Sequence, residues 1–344
     1  MRILTVEPGP EFSVSDVHNG YVKAFKQLGH QVRNFNLGDR ITFAENALPP
    51  MPAKEKTATA ARMVAEQLRA ACFDFWPELV VITSAFLIPP ETFDIIRDRK
   101  IKIAVILTES PYEDPTQIGI AARSDLAIIN DPINLDRYRQ HQPNTFYIGH
   151  AYDPEQHRPQ IINPDYQADF GFVGTGFPSR VQFLEQVNFE GLTVKLAGNW
   201  QQLDATSKLN RYLLQHPSGS FPNSETVRFY SSIKISANIY RKEGADNHLT
   251  GYACGPREIE LAAVGTFFLR ESRPESDELF SMLPVYESAE HFSELVKEWS
   301  VNDRQRQQAA RLAQLAVKPR TFTNNALALL ERLDNQLNHP IGRN

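Results

Sequence analysis

Two residues three positions apart, Arg257 and Glu260, open a stretch with the means to hold a diphosphate and a ribose. Residues 251–270 read Gly-Tyr-Ala-Cys-Gly-Pro-Arg-Glu-Ile-Glu-Leu-Ala-Ala-Val-Gly-Thr-Phe-Phe-Leu-Arg. Pro256 suits the first helical position, where no amide donor is needed, and Gly265 stands where a left-handed cap would end the helix. The spacing predicts a short helix over 257–264, entered from a loop with Gly251 and Gly255 and followed by a buried strand at 266–269. Residues three apart share a helix face. Unpaired amides at a helix start attract phosphate, more so beside an arginine. A glutamate one turn further in can accept both hydroxyls of a ribose. The alternative is an ordinary i,i+3 ion pair worth about a few tenths of a kcal/mol.

Other groups fit the same anion chemistry. The strand at 169–175 ends in Gly174-Thr175-Gly176, with Arg180 a few residues on. A strand at 233–239 carries Lys234 and Asn238 and leads to Arg241, and His248 lies in the loop before residue 251. Gly255, Gly174, Thr175, Gly176, Arg180, Lys234, Asn238, Arg241, His248, Arg257 and Glu260 are the candidate binding set. Lys234 serves equally as a solvated strand-edge residue, Asn238 as a strand residue bonded to a neighbouring loop, and Arg241 and His248 as plain loop residues.

Proton transfer asks for a group whose pKa lies near working pH. His18 and Asp16 follow the first strand, and Glu109 and Glu113 follow the fourth. Asp16 is equally an N-cap for the first helix, and His18 a helix-surface residue. A glutamate directly after a buried strand, as Glu109 is, is seldom there for packing. Its ordinary role would be to accept loop amides.

Composition narrows the class. The 344 residues suggest two domains. With 42% hydrophobic and 22% charged residues and a net charge of −5, the chain reads as a soluble globular protein that is not basic throughout. Cys72 and Cys254 are far apart and lack metal or disulfide spacing, which fits a cytoplasmic setting. Residues 1–7 read as a strand rather than a signal peptide, and no run of about 18 apolar residues predicts a membrane span. There is no GxGxxG, P-loop, GxSxG, HExxH or Asp-x-Asp motif. No metal site is expected.

The elements that must position these groups alternate strand and helix, which favours parallel sheets with helices on their faces. Strands are predicted near 2–7, 32–37, 78–84, 101–107, 126–130 and 145–148, with helices near 16–28, 58–71 and 90–98. Residues 45–56 read as a loop, and the proline-rich 153–167 segment as a boundary. The second half predicts strands at 169–175, 192–197, 233–239 and 266–269, with a further short strand at 285–287. Its helices fall near 180–187, 224–231, 257–264, 289–300 and 302–317. A closing helix over 322–337 shows Leu327, Leu330, Leu333 and Leu337 as its apolar face.

Four features resemble the CgeB-like group of GT-B glycosyltransferases. They are Arg257-x-x-Glu260-x-x-x-x-Gly265 before an apolar strand, Val173-Gly174-Thr175 followed by Arg180, the 130–159 segment, and Arg-Thr-Phe-Thr-Asn-Asn at 320–325. The resemblance implies two Rossmann-like parallel-sheet domains facing a cleft. An acceptor domain would span 1–155 with the C-terminal helix 320–344 crossing back to it, and a nucleotide-sugar domain would span 165–319. It implies that Glu260 holds the donor ribose, that Arg257 faces the phosphates, and that a sugar moves from a nucleotide-sugar, most readily a UDP-sugar, without an essential divalent metal. His150 and His157 fall at the junction as linker residues. Asn324-Asn325 stands where that pattern has a basic residue. Three rivals remain open: an epimerase-type enzyme, a non-catalytic nucleotide-sugar binder, and a transferase acting on modified bases in DNA.

Overall fold

The structure is a computed structural model that describes residues 1–10, 14–214, 221–243 and 251–338. The chain divides into two compact units, one formed by Met1–Gly149 with Phe322–Asn344 and the other by His150–Thr321.

The first unit is a six-stranded, all-parallel sheet in the order β2-β1-β3-β4-β5-β6. Its strands are β1 (Arg2–Val6), β2 (Gln31–Phe35), β3 (Leu79–Thr83), β4 (Lys102–Leu107), β5 (Leu126–Ile129) and β6 (Thr145–Tyr147). The central strands are apolar on both faces, as expected where helices cover both sides, and every residue of β3 is buried. The helices are α1 (Ser15–Gln27), α2 (Leu37–Ala47), α3 (Ala53–Phe75), α4 (Pro90–Asp98), α5 (Asp114–Ala121) and α6 (Leu135–Arg139).

Four of these differ from the sequence expectation, which had no helix at α2, α5 or α6 and a shorter α3. Residues 37–47 form a helix whose N-cap, Asn36, accepts from the Asp39 amide at 2.9 Å and whose buried face is Leu37, Ile41 and Ala44. The helix predicted at 58–71 is longer at both ends, taking in part of the expected 45–56 loop and stopping where Trp76 turns left-handed at φ 52°.

The second unit is a four-stranded parallel sheet in the order β10-β9-β7-β8. Its strands are β7 (Ala168–Val173), β8 (Val194–Ala197), β9 (Ile233–Ala237) and β10 (Phe267–Leu269). Around it lie α7 (Pro178–Gln186), α8 (Asn223–Ser232), α9 (Pro256–Val264), α10 (Pro274–Leu279), α11 (Ala289–Val301) and α12 (Asp303–Ala316). Its core is aromatic: Phe170, Phe172, Phe229, Phe267, Phe268, Phe280 and Phe292 are all essentially fully buried. The strand expected at 285–287 is a single bridge, Arg270 to Val285, too short to extend the sheet.

The last helix, α13 (Phe322–Asn338), belongs to the first unit and packs on α1. The two helices approach closely because Gly20 has no side chain: a Cβ there would lie 2.3 Å from the Phe322 ring. Tyr21 meets the same ring edge-on at 5.8 Å. The buried face of α13 is Ala326, Leu329, Leu330 and Leu333, whereas Leu327 is 41% exposed, which shifts the apolar stripe from the predicted one. Asn325 donates to the Gly149 carbonyl at 2.9 Å and bonds the Tyr21 hydroxyl, so its amide anchors the returning chain where a basic residue was expected.

Candidate functional site

Each sheet reverses its strand order once, between β1 and β3 in the first unit and between β7 and β9 in the second. Ligands of open parallel sheets bind at the carboxyl ends of the strands at such reversals. A polar cluster lies at each of them.

In the second unit the cluster is built on α9. Pro256 occupies its first turn and Gly265 ends it at φ 82°. Arg257 donates from Nε to the Val173 carbonyl and from Nη1 to Asn238 Oδ1, both at 3.1 Å, and so bridges the ends of β7 and β9. Asn238, buried, passes its amide on to Glu258 Oε2 at 3.0 Å. Glu258 is fully buried. Its Oε2 also accepts from the Gly255 amide and the Tyr240 hydroxyl, each at 2.6 Å, and its Oε1 from Ser276 at 2.6 Å. Burial pushes its carboxyl above the ordinary range while these donors pull it back. Sequence reasoning passed over Glu258, although Gly255-x-x-Glu258 has the spacing of a capping box.

Arginine accumulates beside this turn. Arg180, at the start of α7, is buried and donates to the carbonyls of Ile239 (2.8 Å) and Thr175 (3.1 Å). Phe172 carries the guanidinium groups of both Arg257 (4.7 Å from its centroid) and Arg180 (5.6 Å). Phe177 carries those of Arg180 (5.1 Å) and Arg241 (5.9 Å). Burial first, then the charge of Arg257 and more weakly that of Arg241, push Arg180 down to about 9, against the opposing charge of Glu243. Such stacking keeps a cation in place without neutralising it.

The glycine turn fits closely under these arginines. A Cβ on Gly174 would lie 2.7 Å from Arg257 Nη2, and one on Gly176 2.5 Å from the Trp200 ring. The Gly174 and Gly176 amides donate to Ala197 and Asn199 carbonyls at 3.0 and 2.9 Å, so this turn offers close backbone approach rather than those two donors. Glu260 is half-buried on α9, near enough for its charge to act on Tyr230.

The structure therefore brings Gly174, Thr175, Gly176, Arg180, Asn238, Arg241, Gly255 and Arg257 to the carboxyl edge of one sheet. Lys234 is not among them. It follows the first residue of β9, at the opposite edge, and pairs with Asp169 at 2.8 Å, because strand alternation points it to the solvated side. His248 lies outside the described residues.

In the first unit the cluster is built on α1. His18 is buried rather than on the helix surface. Its Nε2 lies 2.8 Å from Asn34 Oδ1 and its Nδ1 3.4 Å from Thr83 Oγ1. Asn34 donates in turn to Glu7 at 2.7 Å. Burial pushes the imidazole below its ordinary value, and the Asn34 bond and the Glu7 charge partly restore it. Asp16 lies in the first turn of α1 and does not cap it, since the cap position is Val14; burial raises its carboxyl.

The turn after β3 holds Ser84 and Ala85 in left-handed backbone at φ 65° and 58°, a conformation seldom adopted by residues other than glycine and often found at functional sites. Ser84 Oγ lies 3.1 Å from Thr108 Oγ1, next to Glu109. The Glu109 amide donates to Gln117 at 3.1 Å, and Gln117 joins a buried net with Tyr138 and Asp114 that braces this strand end.

The linker histidines are structural. His157 Nδ1 accepts from the Asp153 amide at 3.2 Å. His150 is pushed down to about 4, by burial first and then by Arg320 and Arg273 against Glu275. Glu275 accepts from the Cys254 amide at 2.9 Å and pairs with Arg320, fastening the loop that feeds α9 to the chain just before α13.

Known proteins share the fold. A family model described as glycosyl transferase-like matches residues 180–331. No curated protein sequence matches the chain. Sucrose-phosphate synthase from Thermosynechococcus elongatus superposes with a TM-score of 0.68 at 10% identity, covering 98% of this chain and 99% of that one. Anabaena HepE, solved in complex with UDP, gives 0.61 at 12% identity, covering 98% and 100%. The E. coli trehalose-6-phosphate protein, bound with UDP-2-fluoro glucose, gives 0.63 at 9% identity, covering 97% and 99%. The chain has the GT-B fold, and its residues 180–331 are similar to glycosyl transferases.

Proposed function

We propose that the protein is a glycosyltransferase of CgeB-like type that moves a sugar from a nucleoside-diphosphate sugar, a UDP-sugar first among them, to an acceptor hydroxyl. The observation that carries this reading is the crowding of Arg180, Arg241 and Arg257 at the strand reversal of the second sheet, where Arg180 shares the Phe172 ring with Arg257 and the Phe177 ring with Arg241. A diphosphate relieves that crowding. Negative charge builds on the diphosphate as the anomeric bond breaks, so these guanidiniums act where the transition state needs them, without an essential metal. Arg257 and Arg241 face the phosphates, and Arg180 and Asn238 hold the turn that presents them. Gly174, Thr175, Gly176 and Gly255 admit the ligand backbone-close, and Glu260 takes the ribose hydroxyls. The relatives solved with UDP and UDP-2-fluoro glucose support the choice of base.

Proton transfer from the acceptor is assigned to the first unit, where His18, Asp16 and Glu109 lie toward the carboxyl ends of the strands. A thermal-shift panel of UDP, GDP, ADP, CMP and dTDP tests the reading. A ligand at about a hundred times its Kd adds roughly 2.7 kcal/mol of stability. UDP should stabilise the parent protein and much less the Glu260→Ala variant. No stabilisation by any nucleotide at millimolar concentration overturns it. Turnover of a UDP-sugar with no acceptor present would favour an epimerase instead.

A further inference from the structure

The cluster on α1 contains a chain of three residues whose hydrogen-bond polarity is determined. A carboxylate oxygen accepts, and that of Glu7 lies 2.7 Å from the Asn34 amide nitrogen. That contact fixes which way the amide faces, since turning it over would set its oxygen against the carboxylate. Asn34 Oδ1 therefore points away from Glu7 and meets His18 Nε2 at 2.8 Å. The Thr5 hydroxyl lies 3.1 Å from the same oxygen and holds it from a further side. An amide oxygen accepts only, so the ring nitrogen facing it must carry hydrogen. A neutral imidazole then has its lone pair on Nδ1, which faces the Thr83 hydroxyl at the end of β3, on the other side of the strand reversal.

We infer that Glu7, acting through Asn34, is a positioning residue that holds His18 as its Nε2–H tautomer and so makes Nδ1 the proton-accepting nitrogen of the first unit. This rests on the reading that an acceptor hydroxyl loses its proton there. In that step the hydroxyl proton passes to Nδ1, the oxygen bonds the anomeric carbon, and the carbon–diphosphate bond breaks with its electron pair leaving on the diphosphate. The imidazolium so formed donates from both nitrogens, to Asn34 and to Thr83. Asn34 on β2 and Thr83 on β3 face the ring, and Glu7 beyond β1 acts on it through Asn34 and by its charge.

Long-range nitrogen–proton correlation spectra of the histidine-labelled full chain test the tautomer without any substrate. His18 is picked out from the nine histidines by its loss in His18→Gln. The expected spectrum has a protonated Nε2 and an unprotonated Nδ1. Glu7→Gln and Glu7→Ala should shift the ring toward a mixture of tautomers. A protonated Nδ1 in the parent protein, or a tautomer indifferent to both substitutions, overturns the inference. With a UDP-sugar and acceptor, Glu7→Gln should lower kcat at least about tenfold and leave the donor KM unchanged, since a positioned acid–base group is worth ~10²–10⁴-fold. The rising limb of its rate–pH profile should move to lower pH, because Glu7 no longer favours the imidazolium. An unmoved limb also overturns the inference. A tautomer as stated in a protein that turns over no nucleotide-sugar would instead leave the relay standing and remove the transferase reading.

Discussion

Arg257 and Arg180 share one aromatic ring: their guanidinium carbons lie 4.7 and 5.6 Å from the centroid of Phe172. The residues come from different helices, α9 and α7, and Phe172 sits one residue before the end of β7. The ring holds two like charges together at the strand reversal without neutralising either.

Arg257→Lys should weaken UDP binding by about tenfold or more, since a charge-assisted bond contributes roughly 1.5–3 kcal/mol. Lysine cannot keep the fork that serves Val173 and Asn238 together. Uridine without phosphates should bind parent and variant alike. Calorimetric titration with both ligands measures this.

Lys234→Ala is the contrasting case. Its pair with Asp169 is at the far edge of the sheet and 46% exposed on the lysine side, so the expected stability change is about 0–1 kcal/mol. UDP affinity should be unchanged in the same titration.

His150 predicts an acid limb in stability. Its folded-state pKa is about 4, below the ordinary value of 6.5. A histidine depressed in this way contributes stability that is present above pH 6.5 and lost as pH falls through about 4. Its imidazole retains some exposure, which limits the effect to on the order of 2 kcal/mol. Thermal melts between pH 7 and 4 should be flatter for His150→Gln than for the parent.

Gly20→Ala should destabilise the first unit by about 1–3 kcal/mol, the ordinary cost of overpacking. The added methyl would sit 2.3 Å from the Phe322 ring. Phe322→Leu on the Gly20→Ala background should recover part of the loss although it costs stability alone. Urea denaturation of the four proteins gives the coupling energy.

Gly198→Ala meets two obstacles, a φ of 110° and a methyl 2.3 Å from the Gly174 carbonyl oxygen. It should lower the melting temperature and push the glycine turn against Arg257, weakening UDP binding along with it.

The sheets were legible in the sequence because their strands are apolar runs between turn residues, and burial on both faces makes that pattern unmistakable. α2 was missed because residues 37–47 mix Gly38, Asp39, Arg40 and Glu45 with only three buried positions. α10 was missed because Pro-Glu-Ser-Asp-Glu-Leu reads as a solvated loop, while Glu275 and Ser276 are in fact buried. In the donor cluster the sequence pointed to Arg257 and Asn238, whose neighbours along the chain gave the signal. It could not point to Glu258 as their brace, since the partners Tyr240 and Ser276 arrive from 18 residues away on either side. For Lys234 the sequence left a phosphate contact and a solvated strand-edge place both open, because alternation along a strand gives a side chain's face but not which end of the sheet it occupies. For His18 the sequence left proton transfer and a helix-surface place both open, because the partners that bury it, Asn34 and Thr83, lie on other strands.

The first unit takes its last helix from beyond Thr321, whereas the second is one unbroken run of chain. During synthesis the first sheet therefore leaves the ribosome with the face of α1 around Gly20 and Tyr21 still uncovered, and stays so until the whole second unit has been made. The second unit can complete its core as soon as its own residues emerge. Of the two units, the one begun first is thus the one finished last, and a chain cut short before Phe322 carries a complete second unit attached to an incomplete first one.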